Sequence, residues 1–465
     1  MDPVLLARIQ FAMTIGFHYI FPPLSIGLAW LLVVVERNAW KTGDPDWEKA
    51  GRFFGKILAL TFAIGVATGI VMEFQFGTNW SEYSKFVGDI FGAPLAAEGI
   101  FAFFLESTFL GLYLFGRGRV SPGVHWFAIL MVAVGATISA FWILLANSWQ
   151  QTPTGYEIIT DTLGNQRAVL TDFAAAVFNP SMWIRFFHTV VSCLAAGAFL
   201  MAGISAYLIL KKRQVATMSK SLSVSVWVGA IASVLLLFPT GHDHAKQVAE
   251  TQPEKFAAIE GIYDETHKED AVVFGIPDDS DWANPKLDYE VRLPGFLDLM
   301  LAGISDENRA EIKSIKEFRQ EPQKYPTPPL ALTFLSFHAM VMLGMAFIGL
   351  MGLALLLLLM RKLTTQRWLL RLLVIAIPFP IIATQLGWVT AEVGRQPWIV
   401  WHELKTENAV SVTVGAGEVL FSIILFGLIY LLLGSLYLYL MFKKVKAGPQ
   451  ELGAAPNDMA QEEVA

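Results

Sequence analysis

Long apolar runs alternate with short polar stretches along this chain of 465 residues. An apolar run longer than about 18 residues is long enough to cross a bilayer as a helix. Nine spans are expected, at roughly 9–35, 53–76, 94–116, 124–147, 183–210, 219–240, 329–360, 367–390 and 415–442. The expected fold class is therefore all-α, a polytopic membrane protein of about nine transmembrane helices. One long segment breaks the alternation. Residues 241–328 carry 19 Asp/Glu against 10 Lys/Arg and are punctuated by Pro253, Pro277, Pro285, Pro294, Pro322, Pro326 and Pro328. A polar loop of that length is either functional or disordered. Its stretches "AKQVAETQPEKFAAIEG" and "SDENRAEIKSIKEF" read as helical, which favours a folded cap. Four regions follow: helices one to six in 1–240, the extramembrane loop in 241–328, helices seven to nine in 329–445, and a disordered tail in 446–465, rich in Ala, Glu, Asp and Pro. No internal repeat is visible.

Composition agrees with the pattern. The chain is 54% hydrophobic and 16% charged, with mean hydropathy +0.50, where a soluble domain carries about 25% charged residues. The first apolar run lacks a basic n-region and is long enough to span, so no cleavable signal peptide is expected. Basic residues fix an orientation. Arg37, Lys41, Lys49 and Arg52 follow span one, Arg117 and Arg119 span three, Lys211, Lys212, Arg213 and Lys220 span five, and Arg361, Lys362, Arg367 and Arg371 span seven. Lys443, Lys444 and Lys446 open the tail, whereas the alternate short loops hold little beyond Lys85, Arg167, Arg395 and Lys405. The positive-inside rule then puts the N-terminus outside and the C-terminus and tail in the cytoplasm. The single Cys193 excludes an internal disulfide and any Cys-built zinc or iron–sulfur site from this chain alone. No Gly-rich phosphate loop follows a predicted strand, so nucleotide chemistry has no support, and nucleic acid is not an expected partner.

Ionisable residues in apolar runs are the candidate chemistry, because a charge at the bilayer centre costs about 2.5–3.5 kcal/mol on insertion scales. "GWVTAEVGRQPW" (387–398) places Glu392 and Arg395 at the end of span eight, between Trp388 and Trp398. The plain alternative is an interfacial anchor of Trp and Arg at headgroup level. His18, His188 and His338 fall within spans, His125 at an inner end, and His242, His244, His267 and His402 in loops. A lone intramembrane histidine also serves simply to bond a neighbouring helix. Depth brings some of them together. Counting about 1.5 Å per residue, His18, His188 and Met340 all lie roughly 8–15 Å from the outer surface. Glu98, Glu106 and Glu392 cluster towards the same side. Imidazole and thioether are the ligands that hold haem iron, and a His/Met pair gives a six-coordinate electron-transfer haem. A methionine on an apolar helix is most often core packing, so composition alone does not nominate Met340.

The motifs resemble subunit I of the cytochrome bd-type quinol oxidases, over nearly the whole chain to about residue 440. The matching stretches are "RIQFAMTIGFHYIFPPLSIGL" (8–28), "FAIGVATGIVMEFQFGTNWSEYSKFVGDIFGAPLAAEGIFAFFLESTFLGL" (62–112), "WILLANSWQQTPTG" (142–155), "PSMWIRFFHTVVS" (180–192), "QPEKFAAIEG" (252–261) and "GWVTAEVGRQPW". The second and the last are highly specific.

The resemblance implies His188 and Met340 as axial ligands of a low-spin b haem where electrons enter. It implies His18 as ligand of one high-spin haem in a two-haem oxygen site, and Glu392 as ligand or close partner of the other. Glu98 and Glu106 would feed protons to that site, Trp388 would lie between haems, and Arg395 would lie near the propionates and Glu392. Lys255 and Glu260 would open the quinol-binding loop. The implied cofactors are two b-type haems and one d-type haem; some close relatives carry b in place of d, so the macrocycle stays open. The implied reaction oxidises quinol at the outer face and reduces O2 to water, building a proton gradient without a pump. The implied partners are a second membrane subunit, subunit II, with room for a small single-helix subunit. The implied location is the bacterial or archaeal cell (inner) membrane.

Residue chemistry is compatible with these roles. Glu98 and Glu106 are eight apart, about 80° around an α-helix and about 12 Å along it, a relay spacing if one or two waters fill the gap. Lys255 and Glu260 are five apart in a predicted helix and can exchange protons with a quinol hydroxyl, Glu as acceptor and Lys as stabiliser; alone, they would read as a solvated face. Where the family commonly has "SFR", this chain has "SFH" (336–338). His338 is then a propionate partner when charged, and a rival ligand two residues from Met340. Met340 is preferred, because positions two apart face about 200° away from each other on a helix. The chain also lacks the longer second half of the loop, matching the short-loop branch. Two other readings remain: a haem-bearing electron-transfer subunit that does not reduce oxygen, and a transporter or proton channel lined by carboxylates.

Overall fold

The computed structural model describes residues 2–160, 162, 164–266 and 268–451, with the backbone alone at 100–102. His267 and the tail from 452 onward lie outside the described residues. Among the described residues, eight helical stretches are long and apolar enough to cross a membrane. Most are jointed, and the joints have local causes.

The first stretch is split into α1 (Pro3–His18) and α2 (Phe21–Thr42). Pro22 and Pro23 have no N–H to return to the carbonyls of His18 and Tyr19, so the α ladder breaks there. α3 (Pro45–Thr78) follows, capped by the Asp44 side chain. The span expected at 94–116 is interrupted: the end of α4 (Ser81–Ala97), a π-helical turn over Glu98–Phe103, and α5 (Phe104–Phe115). "GAPLAAEG" sets Pro94 between two glycines, which weakens regular α bonding at that place. α6 (Pro122–Gln151) is continuous.

The hairpin β1 (Tyr156–Thr160) and β2 (Gln166–Leu170), with α7 (Phe173–Val177), leads into α8 (Met182–Leu210). α9 (Val215–Leu237) and α10 (Thr240–Thr251) meet at Phe238-Pro239. Pro239 cannot donate to the Leu235 carbonyl, and the Thr240 hydroxyl does so instead at 2.7 Å. The cap comprises α11 (Pro253–Glu260), the bulged hairpin β3 (Ala271–Asp278) and β4 (Lys286–Leu293), and the short α12 (Phe296–Met300), α13 (Asp306–Glu311) and α14 (Ile315–Phe318). It has its own core around Phe256, Ile259, Leu297, Ile315 and Phe318. The segment is thus folded, and hairpin β3–β4 is its part that helical periodicity did not announce. α15 (Leu330–Leu359), α16 (Arg367–Ile375), α17 (Phe379–Val393), the hairpin β5 (Trp398–Val400) and β6 (Leu404–Lys405), and α18 (Ala416–Ala447) complete the chain.

The main core joins α2, α3, α8, α9 and α15. Its tightest point is the crossing of α2 and α8. A Cβ on Gly27 would sit 1.9 Å from the Cys193 carbonyl oxygen, and one on Gly197 would sit 2.3 Å from the Gly27 carbonyl carbon. Backbones touch there because small residues allow it, the usual device where lipid supplies no hydrophobic drive between helices. Cys193 is buried and free at this crossing.

Candidate functional site

At the cap end the helices draw apart around one cavity of ≈ 1940 Å³, where ordinary ligand pockets measure about 300–1,000 Å³. His18, His188, Met340, Glu98, Glu106, Trp388, Glu392, Arg395, Lys255 and Glu260 all line it. Residues from six α-helices, the π turn and the segment after α17, more than three hundred positions apart, are thereby brought to one space.

The two histidines are held alike. His18 ends α1, and its Nδ1 lies 3.0 Å from the Thr68 hydroxyl. That hydroxyl already points its proton at the carbonyls of Ile64 and Gly65, each at 3.0 Å. His188, on α8, has Nδ1 at 3.1 Å from the Thr240 hydroxyl, which already donates to Leu235. In both cases the hydroxyl proton is committed, so Nδ1–H must be the donor and Nε2 keeps its lone pair. Fixing the outer nitrogen in this way is how metal-ligating imidazoles are usually oriented. The joint at Pro239 therefore has a chemical result, since the threonine that repairs it also sets the His188 tautomer.

Glycines clear the approaches. A Cβ on Gly69 would stand 3.2 Å from His18 Cε1, and one on Gly387 would stand 2.9 Å from the Met340 sulfur. Trp388 follows Gly387 and is half-buried at the cavity wall. Glu392 accepts from Asn147 Nδ2 at 2.8 Å and from Gln151 Nε2 at 3.4 Å, and pairs with the Arg395 guanidinium. Arg395 also donates through Nε to the Trp398 carbonyl at 3.3 Å, while its Nη1 is buried without a partner.

Glu98 accepts from Ser139 Oγ at 2.6 Å. Glu106 packs on α6 at Gly135, whose added Cβ would stand 3.3 Å from the Glu106 Cβ. Those contacts are one turn apart on α6, about 6 Å. The 80° separation expected for a continuous α-helix does not apply, because the π turn intervenes and rotates α5 relative to α4. Glu106 accepts no hydrogen bond among the described residues and is buried.

At the cap, Lys255 is 2% exposed. Its Nζ donates to the Ala391 carbonyl at 3.0 Å, to Gln252 Oε1 at 3.2 Å and to Gln151 Oε1 at 3.3 Å. Burial first, then the Arg185 charge, holds its ammonium well below the ordinary lysine value. The solvated-face reading of Lys255 and Glu260 fails, since both are buried. Burial pushes the Glu260 carboxyl up to about 7.

His338 does not act as expected. Its Nδ1 and Nε2 lie 3.0 Å from the carbonyls of Phe334 and Val272, and its ring stacks on Phe334 at 3.8 Å between centroids. Both nitrogens are turned to backbone, so the ring ties α15 to β3 and offers no atom to iron or a propionate. Sequence reasoning passed over Arg185, Thr68, Thr240, Asn147 and Gln151. Arg185 carried a usable signal, a charge in an apolar run three residues before His188; the threonines and amides carried none.

The donor set fits an iron porphyrin. Two imidazoles with free Nε2, a thioether and unpartnered guanidinium donors face a space several times the volume of a usual pocket. Comparison with known proteins agrees. Residues 6–449 match the family model described as cytochrome bd terminal oxidase subunit I. The chain is 39% identical over 455 residues to cytochrome bd ubiquinol oxidase subunit 1 of Bacillus subtilis (strain 168), across 97% of this chain and 95% of that one. It is 35% identical over 510 residues to cytochrome bd-II ubiquinol oxidase subunit 1 of Escherichia coli (strain K12), across 97% and 98%. The bd oxidase structure from Geobacillus thermodenitrificans superposes with a TM-score of 0.85 at 27% identity, covering 96% of this chain and 99% of that one. The chain belongs to the cytochrome bd terminal oxidase subunit I family.

Proposed function

We propose that this chain is the quinol-oxidising and oxygen-reducing subunit of a respiratory complex with three haems, two b-type and one d-type, or b in place of d. The observation that carries the reading is the matched pair of imidazoles. His18 and His188 each donate through Nδ1 to a threonine whose proton is already spent, and both line one cavity. Met340 joins His188 at the low-spin haem, His18 serves one haem of the oxygen site, and Glu392 serves the other. Bound there, haem iron supplies one-electron transfer and the reduction of O2.

The chain's own groups handle protons and position. Glu260, with its carboxyl raised to about 7, takes a quinol proton at the cap. Lys255 fixes the loop to the Ala391 carbonyl beside Glu392, so its part in quinol binding is to hold the loop in register. Glu106 and Glu98 pass protons toward the oxygen site along α5 and α6. Trp388 fills the wall between haems, and Arg395 neutralises Glu392 and a propionate. The basic loops support a cytoplasmic C-terminus and a cap outside the cell membrane. Quinol protons then leave outside and protons for water come from within, which builds a gradient without a pump. Subunit II would cover part of the exposed helix faces, with a single-helix peptide as a further partner.

A reduced-minus-oxidised absorption spectrum of the purified complex tests this. The expected result is a low-spin b signal with further high-spin signals and quinol-driven oxygen uptake. A colourless preparation would return the transporter reading. A single low-spin signal without oxygen uptake would return the electron-transfer reading.

A further inference from the structure

Arg185 sits in the first turns of α8, one turn before His188, and is 4% exposed. Its Nε and Nη2 are buried with no hydrogen-bond partner, and it lines the cavity. A guanidinium cannot shed its proton in a protein. Leaving it buried and unpaired costs several kcal/mol, so an anion is required nearby.

Among the described residues, none supplies that anion. The acid that most influences Arg185 is Glu392. Both oxygens of Glu392 are committed, one to Asn147 and Gln151, the other to Arg395. The other ionisable groups acting around this point are Arg395, Lys255, His188 and His244, none of them an acid. Two guanidiniums thus face one carboxylate, and the pole is positive before Lys255 is counted. Arg395 adds a second buried, unpartnered donor, Nη1.

We propose that Arg185 is a carboxylate-binding residue, and that it holds a carboxylate arm of the porphyrin ligated at His188. The inference rests on the haem reading above. Residues three apart share a helix face, with Cβ atoms about 5–6 Å apart. A macrocycle held through His188 would have a carboxylate arm within reach of the Arg185 side chain. The fork of a guanidinium matches a carboxylate in two parallel hydrogen bonds, which a lysine cannot reproduce. Arg185 is thereby also a fixed positive charge beside the electron-entry haem, favouring its reduced form.

The test uses the purified complex with Arg185→Gln and Arg185→Lys, each titrated spectroelectrochemically. Arg185→Gln is expected to keep the low-spin signal and raise its oxidised-to-reduced ratio at fixed ambient potential about tenfold, which is 59 mV for one electron. Arg185→Lys is expected to recover most of that shift. An unmoved midpoint in Arg185→Gln overturns the proposal. So does a raised KM for quinol with the midpoint unmoved, which would make Arg185 a quinol contact. Should Arg185→Gln fail to hold pigment, infrared difference spectra of Arg185→Lys with ¹³C-carboxyl-labelled haem decide. A displaced labelled carboxylate band supports the assignment and an identical band overturns it. A wild-type complex without any low-spin signal would refute the ligation of His188 itself, a failure recognisable before any variant is made.

Discussion

The two halves of α8 differ as sharply as any regions of the molecule. From Ala195 to Ala206 every residue is buried, and the helix touches α2 backbone to backbone at Gly27 and Gly197. From Trp183 to Ser192 only Arg185 is buried, and the helix faces the cavity. Both halves are strongly apolar, so hydropathy does not separate them. Side-chain size does. Ala and Gly in the inner half let α2 and α9 close in, and Gly203 admits Ile377 so closely that an added Cβ would lie 2.2 Å from it. Trp183, Phe186 and Phe187 fill the other half, where α9 breaks at Pro239 and turns into α10. One half of the helix packs against its neighbours, and the other turns Arg185, His188, Thr189 and Ser192 to the cavity.

That division can be broken at either end. The largest effect is expected from Gly197→Leu. Overpacking a core normally costs about 1–3 kcal/mol, but here the new side chain meets α2 backbone and the helices must part. Size-exclusion chromatography of the detergent extract should recover almost no monodisperse protein; normal recovery would deny that the seam is close-packed. His188→Ala, about 13.5 Å along the same helix by its rise of about 1.5 Å per residue, should leave that chromatogram unchanged. It should abolish the low-spin signal and quinol-driven oxygen uptake, and an unchanged spectrum would remove His188 from ligation.

Away from α8 the effects shrink. Glu106→Gln should keep all haem signals and slow oxygen uptake by about a hundredfold, the lower range for a lost proton-transfer group. Rates within a factor of two of the parent would take Glu106 out of the proton route. The smallest effect concerns pH at the cap. Glu260 accepts a proton only when ionised, and burial has raised its carboxyl to about 7. Quinol oxidation at limiting substrate should fall as pH drops through that value, and Glu260→Gln should flatten the profile at its low end. The stability effect runs the other way. The folded chain holds this proton more tightly than the unfolded one, so Glu260 costs stability progressively as pH rises from the ordinary carboxyl value of 4.5 to about 7. Identical profiles for parent and variant would mean that Glu260 carries no proton in turnover.

The membrane helices were legible because an apolar run of spanning length has few alternative fates. The folded cap was legible from its helical stretches. What remained hidden was whatever depends on partners distant in sequence. Thr68 and Thr240 look like ordinary small polar residues, and only their position against His18 and His188 gives them a task. His338 read as a stand-in for arginine, yet the cap hairpin supplies Val272 and takes the second nitrogen. Lys255 read as part of the quinol loop, and nothing in its motif announced the two amides and the carbonyl that its Nζ meets. Arg185 was the exception, since the criterion that singled out Glu392 applied equally to it. The ten residues named from motif resemblance all reach one cavity, whereas the groups that orient them had to be seen.

The π-helical turn at Glu98–Phe103 carries a consequence for how the third span tolerates change. Its i→i+5 bonding absorbs one residue beyond a regular helix. Deleting one residue there would wind the segment back to α and leave everything after it close to its present phase, because Glu98 and Glu106 would then stand seven apart, about two turns of an α-helix. Glu106 would stay against Gly135 and Glu98 beside Ser139. The same deletion in the uninterrupted α6 would turn everything after it by about 100°. The π turn is spare length, which the other spans of regular helix do not carry.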